Sequence, residues 1–129
     1  MFDVIDTGSD PADIPVSEVV RAGNHVWSVH ISEHPVNGDL VLGDIEAQTR
    51  RTLGNLDIAI RAAGGTLADV VQVQVFLVDK TDFDGMNKVY AEFFKAPYPV
   101  RATVVVKELL AEGLRIEILA QAVLGNAAS

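Results

Sequence analysis

At 129 residues the chain has the size of one domain, and with 49% apolar residues it can bury a core. It carries 18 acidic against 10 basic residues, a formal net charge of −8, which repels phosphate backbones and anionic lipid and argues against nucleic-acid or membrane partners. No apolar run approaches the ~18 residues of a membrane span. The N-terminus, Met1-Phe2-Asp3-Val4-Ile5-Asp6, lacks the basic stretch and apolar core of a leader, and the absence of cysteine excludes disulfides, thiolate metal sites and thiol nucleophiles, so a cytoplasmic setting is expected.

Residues 7–13, Thr-Gly-Ser-Asp-Pro-Ala-Asp, read as loose chain, as does the tail after Leu124. Strands are expected over residues 17–21 and 25–31, joined by the turn Ala22-Gly23-Asn24. A helix follows over residues 44–63, where Ile45, Thr49, Thr52, Leu53, Leu56, Ile60 and Ala63 recur on one face. Gly43-Asp44 supplies its start and Gly64-Gly65 its stop. Residues 69–78 are β-branched and alternating: Val71, Val73, Val75 and Leu77 make an apolar face for helices to cover, and Gln72, Gln74 and Phe76 a mixed one. A second helix over residues 82–95 carries Phe83, Met86, Tyr90, Phe93 and Phe94 on one stripe, with Thr81 or Asp82 as cap. After Pro97 and Pro99 come strands over residues 101–107 and 114–123. With a third N-terminal strand to which no range is assigned, the order β-β-β-α-β-α-β-β describes an α+β fold with a single sheet and two helices on one face. The other face then needs a cover, which in so short a chain is most simply another copy of itself.

No phosphate-binding loop, dinucleotide fingerprint, nucleophile elbow or metal-ligand spacing is present. His25 and His30 are five apart in a strand and point to opposite faces, so they do not make a metal site, and Gly64-Gly65 is a helix stop. Two polar positions inside apolar strands stand out. Arg101 opens one strand, and Glu117 lies within Leu114-Arg115-Ile116-Glu117-Ile118-Leu119-Ala120, where period two groups it with Arg115, Leu119 and Gln121. They are either an ordinary solvated strand face with an ion pair, or an arginine that clamps a carboxylate and a carboxylate that handles a proton or water. Spacing alone leaves both open.

From about Val16 to Ala122 the chain resembles the Rid/YjgF family of imine and enamine deaminases. The resemblance rests on Gly43-Asp44-Ile45-Glu46-Ala47-Gln48-Thr49-Arg50 with Leu53, Asn55 and Leu56; on Ala62-Ala63-Gly64 followed by Asp69-Val70-Val71; and on Val75-Phe76-Leu77-Val78-Asp79. It continues through Asp82-Phe83, Met86-Asn87, Val89-Tyr90 and Phe93-Phe94 to Pro99-Val100-Arg101-Ala102-Thr103 and Ile116-Glu117-Ile118. In this order and at these distances the pieces are specific.

The resemblance implies a chorismate-mutase-like fold assembled as a homotrimer, with sites in the clefts between subunits. It implies that Arg101 binds a substrate carboxylate, that Glu117 positions or activates the hydrolytic water, and that Asn87 and Thr103 line the site, Thr103 replacing a frequent cysteine. Val16 falls where a tyrosine is common. The family's Ser-Gly-Gln stretch is matched by Ser28-Val29-His30 once one residue is deleted before it, so Ser28 is expected to keep the serine's role while Val29 replaces a glycine. The wall of the cleft on this side is then more aliphatic, with His30 or Trp27 as further contributors. The implied function is hydrolytic deamination of reactive 2-imino or enamino acids to 2-oxo acids and ammonia, with no cofactor and no metal. The alternatives are a deaminase or hydrolase of a larger carboxylated metabolite, or a non-catalytic trimer that binds a small carboxylate. An older family label, endoribonuclease, fits poorly with the charge of −8.

Overall fold

The computed structural model describes residues 1–125; residues 126–129, and with them most of the tail expected to be loose after Leu124, lie outside the described residues. Strands β1 (Asp3–Val4), β2 (Val19–Ala22) and β3 (His25–Ile31) come first, then helix α1 (Ile45–Ala62) and β4 (Val70–Leu77). Helix α2 (Phe83–Phe93), β5 (Val100–Val105) and β6 (Ile116–Val123) complete one six-stranded sheet of order β1-β2-β3-β6-β4-β5. Only β4 and β5 pair in parallel, with α2 as their crossover; β6 inserts antiparallel between β3 and β4. The fold is thus the α+β single mixed sheet with two helices that the element order predicts.

Local chemistry explains most boundaries. Gly23 supplies the positive φ of 58° that the two-residue hairpin turn after Ala22 requires. Asp44 caps α1 by accepting a hydrogen bond from the Ala47 N–H at 2.8 Å. Of the two expected caps of α2, Thr81 or Asp82, Asp82 holds the N-cap position, but its carboxylate makes no capping bond. It instead accepts two hydrogen bonds of 2.9 Å from Nε and Nη2 of Arg115, which tie the start of α2 to the approach of β6. Gly85 lets the two helices close up, since a Cβ there would stand 2.7 Å from Ile45 Cγ2.

The core lies between the sheet and the helices. Leu53, Leu56 and Ile60 of α1 and Met86, Tyr90 and Phe94 pack over Val73, Val75, Leu77, Ile116 and Ile118. At the start of β4 the pairing to β6 skips Val71, a β-bulge, so Val70 takes the buried place expected of Val71. The opposite face has no helix over it among the described residues and carries Trp27, Val29, Ile31, Gln74, Phe76, Leu119 and Gln121 in the alternate strand positions. Among the described residues no helix is long and apolar enough to cross a membrane.

Candidate functional site

Arg101 pairs with Val73 and Thr103 with Val75 in the parallel β4–β5 register, and those valines point into the core. Arg101 and Thr103 therefore leave the sheet on the helix-bearing face, beside α2, the helix that carries Asn87. The Arg101 guanidinium carbon stands 4.6 Å from the centre of the Tyr90 ring and 5.9 Å from that of Phe83. Among the described residues its geometric hydrogen-bond contact is a weak one, Nη1 to Met86 Sδ at 4.0 Å, and its charge also offsets part of the rise that burial imposes on the pKa of the Tyr90 hydroxyl. Arg50, Arg61, Lys88 and Arg115 all have carboxylate partners. Half-buried Arg101 has no acidic partner among the described residues, although the chain is strongly acidic.

Glu117 lies directly across from Phe76 on one side and Ile31 on the other, on the uncovered face. Burial raises its carboxyl above its ordinary value, and it makes no hydrogen bond or ion pair among the described residues. A groove gathers it with Val16, Val29, Leu114, Glu18 and Glu33. Glu18 is raised first by burial and then by the charge of Glu33, and Glu33 by burial. Arg115 was expected to share Glu117's face. It precedes the first residue of β6, turns to Asp82 instead, and takes no part in this groove.

The expected residues are thus brought together in two groups: Arg101, Asn87 and Thr103 around β5 and α2, and Glu117, Val16 and Val29 across the bare face. Arg101 and Glu117 are two strands and three residues out of register, which with ~4.8 Å between strands and ~3.3 Å per residue puts their Cα atoms roughly 14 Å apart, on opposite faces. Ser28 joins neither group: it is 2% exposed, opposite Ala120, with its side chain in the core and its hydroxyl unpartnered. His30 also points to the core side, 4% exposed, and burial lowers its pKa to about 3. Trp27 stands on the bare face opposite Gln121, further along β3 from Glu117. His25 and His30 lie on opposite faces, and among the described residues no cluster of three or more His, Cys, Asp or Glu could hold a metal ion.

Glu18 and Glu33 escaped the sequence reading because nothing in their spacing places them in one groove. Tyr90 and Phe83 were read as core. The i, i+7 stripe that carries them was visible; that it would run under Arg101 was not.

The fold is a single mixed α+β sheet with two helices, and its two faces carry an arginine and a carboxylate without an ionic partner among the described residues. Residues 7–124 match the family described as Endoribonuclease L-PSP, and the chain belongs to this Rid/YjgF family. It is 43% identical over 111 residues to a RutC family protein of Pyrococcus horikoshii, covering 84% of this chain and 88% of that one. It is 36% identical over 124 residues to the human 2-iminobutanoate/2-iminopropanoate deaminase, covering 95% and 90%. Among solved structures, E. coli TdcF with bound serine superposes with a TM-score of 0.84 at 32% identity, covering 94% of this chain and 98% of that one. These likenesses support imine deamination as the family's chemistry.

Proposed function

We propose that the protein hydrolyses small 2-imino or enamino acids to 2-oxo acids and ammonia, in sites formed where copies of the chain meet as a homotrimer. One observation carries this reading: among the described residues Arg101 and Glu117 are each half-buried and each without an ionic partner, yet face away from each other in one chain. A half-buried cation and a half-buried carboxylate without partners are costly unless something else completes them. A second copy seated on the bare face would bring a neighbour's Arg101 toward Glu117, with room for a ligand between them. The human relative's name and the serine bound to TdcF point to a small carboxylated ligand.

The chemistry needs little beyond this. Arg101 holds the substrate carboxylate through its planar fork, with Asn87 and Thr103 beside it. Glu117, its proton affinity raised by burial, takes a proton from water as the water oxygen adds to the imine carbon. Glu117 passes that proton to the imine nitrogen to give the carbinolamine. It then relays the carbinolamine hydroxyl proton to the same nitrogen as the C–N bond breaks, so ammonia leaves, the carbonyl forms and Glu117 ends as the carboxylate. Positioning and proton transfer supply the acceleration, on the order of 10²–10⁴ for the acid–base part. The acidic groove around Glu18 and Glu33 suits an ammonium leaving group and repels a phosphodiester.

The test is formation of 2-oxobutanoate from 2-iminobutanoate generated in situ. Acceleration over buffer that is lost in both Arg101→Ala and Glu117→Gln is expected. A parent protein that binds 2-oxobutanoate but does not accelerate hydrolysis would leave only the carboxylate-binding alternative.

A further inference from the structure

Resting on the reading of Arg101 as the carboxylate-binding residue, we propose that the aromatic stripe of α2, Tyr90 with Phe83, is a positioning platform that fixes the plane of the Arg101 guanidinium for its ligand. Three observations carry it. The guanidinium carbon lies 4.6 Å from the Tyr90 ring centre and 5.9 Å from that of Phe83, both within cation–π range. Among the described residues it has no carboxylate in ion-pair reach, and Met86 Sδ lies at 4.0 Å. And the platform is itself fixed: Tyr90 is 7% exposed and packs its ring on Phe94 with centroids 4.6 Å apart.

The physical consequence follows from what such a platform does and does not supply. A ring face attracts the cation without accepting its N–H bonds, so the charge is held in place while its hydrogen-bonding capacity stays free for an incoming carboxylate. An acidic side chain in the same position would hold Arg101 equally well but would compete with the ligand. In a chain of net charge −8 that competition is the main hazard, and an aromatic support avoids it. Burial raises the pKa of the Tyr90 hydroxyl and the nearby Arg101 guanidinium offsets part of that rise, but no contact between them has hydrogen-bond geometry, so the ring is assigned the role and Tyr90→Phe separates it from the hydroxyl.

Positioning through Arg101 predicts a loss confined to binding. Tyr90→Leu should raise KM for 2-iminobutanoate, and the Kd for 2-oxobutanoate by calorimetry, on the order of tenfold, with kcat within about twofold. Tyr90→Phe keeps the ring face and should restore the parent values. Phe83, exposed at the other end of the stripe, gives a variant that spares the core: Phe83→Leu should show the same split at smaller size, and it carries the test if Tyr90→Leu does not fold. Parent affinity in the folded leucine variant, or an equal loss in Tyr90→Phe, overturns the platform. Parent affinity in Arg101→Ala overturns instead the reading on which it rests, so the two failures are distinguishable.

Discussion

Arg101 lies directly across from Val73 in the parallel β4–β5 pair, so its side chain leaves the sheet on the side that carries the helices. Glu117 leaves on the other side. The two residues are separated in the chain by the thickness of the sheet, which is why the proposed site lies between copies.

Assembly is therefore the first expectation. The bare face should join three chains, and light scattering at micromolar concentration should give the three-chain mass. Leu119→Arg places a charge at an exposed position of that face without touching the core. It should dissociate the trimer and abolish both carboxylate binding and deamination, while far-UV circular dichroism stays that of the parent. A fully active monomer would remove the intersubunit site.

Arg101→Ala should abolish binding of 2-oxobutanoate, at a cost of about 2–5 kcal/mol for a partly desolvated charged pair. Arg101→Lys should recover little, because an ammonium offers neither the planar fork nor the same stacking on Tyr90. Calorimetry decides it, and an unchanged Kd in the alanine variant would return Arg101 to a surface role.

Glu117→Gln should separate chemistry from binding: kcat falls by about 10²–10⁴ while 2-oxobutanoate affinity survives. Because burial raises the Glu117 carboxyl, the acid limb of kcat/KM should lie above the ordinary carboxylate range in the parent and vanish in the variant. A limb that persists in the glutamine variant would assign it to another group.

How much of this was legible in the sequence depends on range. Asp44, Gly64 and the apolar stripes are local signals, and they place α1, β4 and α2 to within two residues. Arg101 and Glu117 stand out locally too, as polar residues in apolar strands. Their faces do not, because β6 inserts between β3 and β4 and the parallel β5 is set by a crossover, both tertiary choices. Arg115 was misplaced for a related reason: period two was carried one residue beyond the start of the strand. Ser28 shows the limit of motif matching. The match names a residue but not the face it takes, and the Ser28 side chain lies in the core, on the face opposite Glu117.

His30 gives a prediction about stability. Its imidazole is buried with Nε2 unpartnered, and burial lowers its pKa from 6.5 to about 3. The unfolded chain takes up this proton as pH falls below about 6.5, and the folded chain does not until about 3, so stability is lost progressively across that window. The full loss approaches about 4–5 kcal/mol at about 1.4 kcal/mol per pH unit. The raised carboxyls of Glu18, Glu33 and Glu117 act in the opposite sense, destabilising as pH rises through the carboxylate range. Urea unfolding at pH 7.5 and 5.0 should show His30→Leu losing less stability than the parent on acidification; equal losses would clear His30.

Val16 and Val29, where they line the groove, are expected to set substrate preference. Val16 is 47% exposed and half-buried Val29 sits on the same face as Glu117, two residues before Ile31, its direct partner. Both line the groove with Leu114, so a substrate carboxylate held by a neighbour's Arg101 would extend its side chain along an aliphatic wall. Glu18 and Glu33 lie further along the same groove and set its polar limit. Imines with apolar side chains, such as that from leucine, should then be turned over faster than those from alanine or serine. Each well-placed methylene is worth only ~1–3 kcal/mol, so the ratio of kcat/KM should be tens-fold to a couple of hundred-fold. Val29→Gly should reduce that ratio by removing the wall while leaving Arg101 and Glu117 in place. A panel of imines read as 2-oxo acid formation decides it, and equal turnover of the smallest imine in the parent would show that these valines do not shape the pocket.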